Sequence, residues 1–235
     1  MILVLAGTSE GRLAAASLEK EGFEVIASTA TAYGGELLAK DFHGEITARP
    51  LSFAEMVSLI TAKKIDKVID ATHPFAVEVS NNVREACRLK GVTYERLERD
   101  EETFAEEEGL FRARDVEEAV QLAAGVEGSI FLTTGSSKLE FYTAGLDAER
   151  LVVRILPVKE SLEKCLSLGI SPRNIIAMQG PFDEELNRCL FKRYRASLVI
   201  TKDSGPAGGT REKIDAARGL GIPVVLINRP GGQVE

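Results

Sequence analysis

The 235-residue chain contains no tryptophan, only three cysteines and only two histidines, and these shortages narrow the kinds of site that it can build. The cysteines, Cys87, Cys165 and Cys189, are scattered without CxxC spacing. This excludes a disulfide scaffold and a thiolate zinc site. Two histidines are too few for a histidine-rich metal centre. We therefore expect free thiols and no protein-bound metal.

Long apolar runs are absent as well. No run approaches the ~20 residues that a membrane-spanning helix needs. The opening MILVLAG ends at a glycine and lacks the basic flank of a signal peptide. Hydrophobic residues nevertheless make up 44% of the chain, enough for a packed core and too many for a disordered protein. We expect a soluble cytoplasmic protein that does not associate with membranes.

The net charge of −7 is concentrated in one segment. Residues 98–108 contain seven acidic residues and one basic residue, so this segment alone carries −6. The overall charge argues against nonspecific nucleic-acid binding but leaves room for a basic cleft elsewhere. A block of like charge with few apolar anchors prefers solvent. The sequence thus predicts an acidic linker at 98–108 between two domains, 1–100 and 109–235.

Short apolar, β-rich runs alternate with helical stretches of about 10–15 residues on both sides of the acidic segment. This alternation is typical of parallel sheets covered by helices. The predicted strands are 2–6, 23–28, 45–48, 66–70, 92–96, 110–113, 129–133, 151–155, 174–178, 197–201 and 223–227. The predicted fold class is α/β, with two Rossmann-like, doubly wound parallel-sheet domains and a cleft between them.

Ligands of open α/β sheets bind beyond the carboxyl ends of the strands, so the loops that leave the strands hold the candidate site residues. The first such loop opens a helix, whose free N–H groups and positive dipole suit a phosphate. Its residues are Gly7, Thr8, Ser9, Glu10, Gly11 and Arg12. A cation in a first helical turn opposes the dipole, which is easier to explain if an anion binds beside it. A plain tight turn is the alternative.

The ends of the second and fourth strands extend this candidate cofactor site. A Rossmann site for NAD usually has an acid after the second strand. Here Ser28 and Thr29 occupy that position, which favours NADPH while leaving NADH possible. Thr72 and His73 follow the fourth strand, and Pro74 is predicted to start the next helix. His73 is a candidate catalytic residue beside the cofactor. Packing or capping is its alternative role.

Three exit loops in the second half of the chain supply the candidate substrate site. Lys138 and Lys202 each follow a strand tip and together make a plausible anion clamp, although either could be an ordinary exposed lysine. Lys202 joins His73 among the catalytic candidates. The full set of predicted substrate-binding residues is Ser136, Ser137, Lys138, Gln179, Lys202, Asp203 and Ser204.

Eight motifs, in chain order, carry a family resemblance. They are GTSEGR at 7–12, DATHPFA at 70–76, YERLER at 94–99, TTGSSKLEFY at 133–142, RILP at 154–157, AMQGPF at 177–182, TKDSG at 201–205 with GG and EK after it, and NRP at 228–230. Together they resemble the precorrin-6A reductases of cobalamin biosynthesis, over nearly the whole chain. The resemblance implies an NAD(P)H-dependent reduction of one double bond of the precorrin-6A macrocycle, giving precorrin-6B, or the same reaction on the cobalt form.

In this interpretation the first domain binds the nucleotide and the second binds the tetrapyrrole. The expected protein is a monomer or weak homodimer without nucleic-acid or membrane partners. His73 would donate a proton or orient the nicotinamide. Two alternatives are a tetrapyrrole enzyme similar to uroporphyrinogen-III synthase, which needs no nicotinamide, and a nucleotide-sensing regulatory module. The GTSEGR loop and Ser28 argue against the first, and the Ser-, Lys- and Gly-rich loops of the second half argue against the second.

Overall fold

The chain forms two compact units, Met1–Arg99 and Asp100–Glu235. The computed structural model describes residues 1–98, 104 and 108–230. Most of the acidic segment for which we predict a linker therefore lies outside the described residues. The assignment of the nucleotide to one domain and the tetrapyrrole to the other stays a prediction.

The first unit is a parallel sheet in the order β3-β2-β1-β4-β5, with helices between the strands. Its strands are β1 (Ile2–Leu5), β2 (Val25–Thr29), β3 (Glu45–Ala48), β4 (Lys67–Asp70) and β5 (Thr93–Arg96). Its helices are α1 (Ser9–Lys20), α2 (Ala32–Leu38), α3 (Phe53–Ala62) and α4 (Val77–Lys90). The strand order reverses between β1 and β4, and open α/β sheets bind ligands at such a point.

Both faces of this sheet are buried, which is why its central strands are apolar at successive positions. On one face Leu3 and Leu5 pack with side chains of α3 and α4, including Cys87. On the other face Val4 and Ala27 pack with side chains of α1 and α2. The two cores hold the carboxyl ends of β1 and β4 side by side.

The second unit is a parallel sheet in the order β6-β11-β10-β7-β8-β9. Its strands are β6 (Leu110–Ala113), β7 (Ser129–Leu132), β8 (Leu151–Ile155), β9 (Ile175–Ala177), β10 (Ala196–Lys202) and β11 (Val224–Ile227). Its helices are α5 (Val116–Ala124), α6 (Leu139–Gly145), α7 (Lys159–Ser167), α8 (Glu184–Arg193) and α9 (Thr210–Arg218). Here the strand order reverses between β7 and β10, so their exit loops lie next to each other.

All the predicted strands are present, with ends that differ from the predicted ends by at most two residues. The predicted helix start at Pro74 is wrong. The Ala76 N–H donates to the His73 carbonyl oxygen at 2.8 Å and closes a turn, so α4 begins only at Val77. None of the helices in the described part of the chain combines the length and apolar character that crossing a membrane requires.

Candidate active site

The exit loops of β1, β2 and β4 meet at the switch point of the first unit. Thr8 caps α1: its Oγ1 accepts from the Gly11 N–H at 3.1 Å and donates to the Ala71 carbonyl oxygen at 2.8 Å. The Ala6 N–H donates to the Ser28 carbonyl oxygen at 2.7 Å. The sequence-predicted cofactor residues therefore gather around the end of β1.

The two glycines of the first loop have different roles. A Cβ atom at position 11 would lie 2.9 Å from both the Ala6 Cα and the Ala71 Cβ, so only glycine lets α1 approach the sheet this closely. At position 7 a Cβ atom would meet nothing nearer than the Thr72 Cα at 4.0 Å. Gly11 serves packing, whereas Gly7 leaves space that a ligand can use.

Gly11→Ala is expected to lower the free energy of unfolding by about 1–3 kcal/mol, because the added methyl group overpacks the contact between α1 and the sheet. The matched control is Gly125→Ala. At position 125 a Cβ would meet nothing within 4 Å, and φ is −82°. Urea unfolding of both variants checks this, and equal losses would contradict the packing role.

Polar side chains surround the β1 and β2 exits. Arg12 is half-buried in the first turn of α1, and among the described residues no carboxylate lies within ion-pair distance of it. The Ser9 hydroxyl donates to Glu10 Oε2 at 3.0 Å. Ser28 and Thr29 are both buried, and the Thr29 hydroxyl donates to the Thr31 carbonyl oxygen at 3.0 Å. Among the residues predicted to bind the cofactor phosphates here, Arg12 alone carries a positive charge.

A buried ion pair fixes the loop after β4. Asp70 is fully buried at the strand end, and Arg96 on the neighbouring strand places Nη1 2.6 Å from its Oδ2. The same Nη1 donates to the Thr72 and Ser80 hydroxyls, each at 2.8 Å. The Tyr94 hydroxyl donates to Asp70 Oδ2 at 2.9 Å. This network holds Thr72, and with it the position of the next residue, His73.

The network also keeps the Asp70 carboxylate charged. Burial alone would raise the pKa of Asp70, but hydrogen bonds from Ser80 and Thr72 and the Arg96 charge lower it below its ordinary value. In turn, burial and the Asp70 charge raise the pKa of Tyr94. A phenol that stays protonated beside an ionised carboxylate continues to donate its hydrogen bond.

His73 lies half-buried in the turn between β4 and α4. Its Nδ1 accepts the Phe75 N–H at 3.2 Å. An imidazolium has no acceptor nitrogen, so this bond requires a ring that carries its proton on Nε2. The structure therefore gives His73 a loop hydrogen bond at one nitrogen and a donor at the other.

In the second unit the exits of β7 and β10 bring Lys138 and Lys202 together. The Thr133 N–H donates to the Ile200 carbonyl oxygen at 3.0 Å and joins the two strand ends. Lys202 is the last residue of β10, and Lys138 immediately precedes α6. Burial, and after it the positive charge of Lys138, lowers the pKa of Lys202 below its ordinary value. The positive charge of Lys138 therefore acts on Lys202 across the two neighbouring strand exits.

The other predicted substrate residues mostly organise these loops. The Ser136 hydroxyl donates to Ser161 Oγ at 3.0 Å, and the Ser137 carbonyl oxygen accepts from Lys164 at 2.9 Å. The Asp203 carboxylate accepts the Gly205 N–H at 3.2 Å.

Ser204 and Gln179 lie on two different exit loops of the same unit. Ser204 is buried, and its N–H donates to Thr210 Oγ1 at 3.1 Å. Gln179 leaves β9, which is separated from β10 by two strands. Sheet order alone therefore does not bring Gln179 to the lysines.

Comparison with known protein families shows which family the chain belongs to. The family described as "Precorrin-6x reductase CbiJ/CobK" matches residues 1–235. The chain belongs to this family. A precorrin-6x reductase is an oxidoreductase, so the match selects the reductase interpretation over the synthase-like and regulatory alternatives.

Individual relatives agree with the family match. A cobalt-precorrin-6A reductase from Priestia megaterium is 37% identical over 98% of this chain and 91% of its own length. One from Methanothermobacter thermautotrophicus is 38% identical over 100% of this chain and 78% of its own length. A solved structure titled "CobK precorrin-6A reductase" aligns with a TM-score of 0.77 at 27% identity, covering 100% of this chain and 90% of that one.

Sequence reasoning missed two groups of largely buried charged residues. Asp70 and Arg96 appeared in the sequence analysis only as parts of motifs. The signal available for them was that a carboxylate at the end of an apolar strand needs a buried partner. Arg154 and Lys213 were overlooked in the same way, and both are almost completely buried in the second unit. A charged residue within a strand whose other residues are all apolar was the available signal for Arg154.

Proposed function

We propose that this chain reduces one macrocycle double bond of precorrin-6A, or of its cobalt form, with NADPH, giving the corresponding precorrin-6B. The observation that carries the proposal is the family match over the whole chain. The loop geometry supports it, because each unit brings polar and cationic side chains to its own switch point. Any cobalt belongs to the substrate.

The first unit fits a dinucleotide. The open space at Gly7 leaves room for a phosphate at the start of α1, and the Arg12 cation lies in the first turn of that helix. The last two residues of β2 are Ser28 and Thr29, so no carboxylate at the end of this strand repels a 2′-phosphate. These features favour NADPH over NADH. A bound nicotinamide supplies the hydride.

The chain's own residues supply orientation, charge and a proton. The ion pair of Asp70 with Arg96 holds Thr72, so the His73 ring is presented from a fixed loop. We assign to His73 the proton that the second carbon of the reduced bond gains: the ring takes up a second proton on Nδ1, releases the Phe75 N–H, and returns to neutral imidazole when Nε2 gives its proton to the substrate. Lys138 and Lys202 bind substrate carboxylates, and a bound anion would offset the burial and the Lys138 charge that lower the pKa of Lys202.

The decisive experiment is an anaerobic assay of NADPH oxidation with precorrin-6A and cobalt-precorrin-6A in parallel. We expect one equivalent of NADPH to be consumed per macrocycle, with the product absorbing as the reduced macrocycle. Nicotinamide-independent conversion of a tetrapyrrole, or no conversion of either substrate, would refute the proposed function.

Arg12→Ala is expected to weaken NADPH binding by about 10- to 100-fold, because a charged hydrogen bond to phosphate contributes roughly 1.5–3 kcal/mol. NADH, which lacks the 2′-phosphate, should lose much less. Fluorescence titration of both cofactors measures this, with Lys20→Ala, an exposed cation in the last turn of the same helix, as the control. Equal losses for NADPH and NADH would disprove the 2′-phosphate assignment.

We further propose a cytoplasmic enzyme that works as a monomer or weak homodimer, without nucleic-acid or membrane partners. The three cysteines are free thiols, two of them buried, which suits a reducing compartment. Sedimentation velocity over a range of protein concentrations tests the assembly state, and a stable higher oligomer would contradict it.

A further inference from the structure

Two cations in the second unit are buried without a counter-ion. Arg154 on β8 is 5% exposed and Lys213 on α9 is 7% exposed. Buried charges in proteins are ordinarily paired. In the described part of the chain, however, neither cation has a carboxylate within ion-pair distance. Arg154 donates to Asn187 Oδ1 at 2.8 Å, and Lys213 donates to the Gly208 carbonyl oxygen at 2.7 Å. Both acceptors are neutral.

The surroundings make this arrangement costly for positive charge. Burial, and after it the Arg154 charge, lowers the pKa of Lys213 to about 7, although the nearby Glu212 carboxylate partly opposes this. Burial also lowers the pKa of Arg154 to about 10. Lys213 lies in the first turn of α9, where the helix dipole adds to the repulsion of a cation. An anion bound here would offset the cost of burial, the repulsion between the two cations and the unfavourable helix dipole.

The two cations lie beneath two strand-exit loops. The Arg154 guanidinium stacks on the Phe182 ring, 4.3 Å from its centroid, so it lies under loop 179–183. Lys213 holds loop 205–209 through Gly208. The loops meet, since a Cβ atom on Gly209 would be 3.5 Å from the Phe182 carbonyl oxygen. The cations are thus placed where two exit loops of one sheet converge.

We propose that Arg154 and Lys213 form a carboxylate-binding subsite beneath these two loops, which takes an acidic side chain of the macrocyclic substrate. The proposal rests on the proposed function for the identity of the anion. A corrin precursor carries many carboxylates around its rim, and the Lys138–Lys202 pair accounts for only part of them. The planar guanidinium supplies a fork of N–H donors suited to a carboxylate.

Steady-state kinetics of charge-removing variants tests the subsite. Arg154→Met and Lys213→Met keep side-chain length and apolar packing but remove the charge. Each is expected to raise the KM for cobalt-precorrin-6A by about 10- to 100-fold, as for loss of a charge-assisted hydrogen bond. The KM for NADPH should stay unchanged. Lys192→Met, an exposed cation on α8, is the control and should behave as wild type.

A binding measurement independent of turnover accompanies the kinetics. Uroporphyrin, a fluorescent carboxylate-rich tetrapyrrole, should bind the wild-type protein, and each Met variant should weaken this binding by a similar factor. Thermal melting reports whether each variant folds. If a Met variant does not fold, Arg154→Lys replaces it: the charge stays but the planar fork is lost, and the substrate KM should still rise about ten-fold.

The outcomes separate this proposal from the proposed function. Folded variants with the wild-type substrate KM and uroporphyrin affinity would overturn the subsite while leaving the reductase activity intact. A rise in the NADPH KM instead would assign the cations to the dinucleotide and also overturn it. Charge-dependent uroporphyrin binding by a protein that oxidises no NADPH with either substrate would sustain the subsite and refute the reductase activity.

Discussion

Asp70→Ala is expected to lower the free energy of unfolding of the first unit by about 3 kcal/mol, because it leaves the mostly buried Arg96 guanidinium without its carboxylate. Asp70 is fully buried, and its Oδ2 lies 2.6 Å from Arg96 Nη1. The substitution also removes the acceptor of the Tyr94 hydroxyl and of the Thr72 N–H. Urea unfolding followed by circular dichroism measures the change.

The matched control is Asp66→Ala, just before β4. Asp66 also makes an ion pair, with the N-terminal amine of Met1 at 2.7 Å, but its side chain is 81% exposed. An exposed pair contributes at most ~1 kcal/mol, so this variant should be close to wild type. Similar losses for the two aspartates would show that burial of the Asp70 pair has no special weight.

The pH dependence of stability offers a second measurement of the same pair. The folded-state pKa of Asp70 lies below the ordinary value of 3.8. Its contribution is therefore fully present above pH 3.8 and is lost as the pH falls through the lower folded-state value. Asp70→Asn should remove this part of the acid-induced loss, so its stability falls less steeply on acidification than that of the wild type.

The strand positions could be predicted from the sequence because they depend on local pattern. Apolar runs such as Ile2–Leu5 and Val224–Ile227 are bounded by turns and helices, and parallel strands buried on both faces need such runs. Once the strands are placed, the positions of their exit loops in the sequence are known as well. The proximity of the β1 and β4 exits was predictable too, because a doubly wound sheet places these strands together.

The polar networks were not predictable, because they depend on register between distant segments. Asp70 faces Arg96 only because β4 and β5 pair in the register that places these two residues opposite each other. The pairing of Arg154 with Asn187 likewise joins residues of β8 and α8. The predicted helix start at Pro74 was wrong for a local reason. The Ala76 N–H donates to the His73 carbonyl oxygen and closes a turn ahead of α4.

His73→Asn is expected to reduce turnover at saturating substrate and NADPH by about 10²–10⁴-fold, the range for loss of a general acid. Asparagine keeps a side-chain oxygen near the position of Nδ1, so it can still accept the Phe75 N–H that orders the loop. It has no counterpart to the Nε2 proton that the ring, once protonated on both nitrogens, gives to the substrate. Both ligands should bind as before, because the loop and its Arg96 support stay in place.

Two further variants separate proton donation from loop positioning. His73→Ala loses both the donor and the loop hydrogen bond, so it should lose turnover to a similar extent and also weaken ligand binding. His43→Asn, an exposed histidine beside Glu19, should behave as wild type. If His73→Asn turned over normally while His73→Ala was impaired about ten-fold, the histidine would act only by ordering the loop. The proton would then most simply come from water.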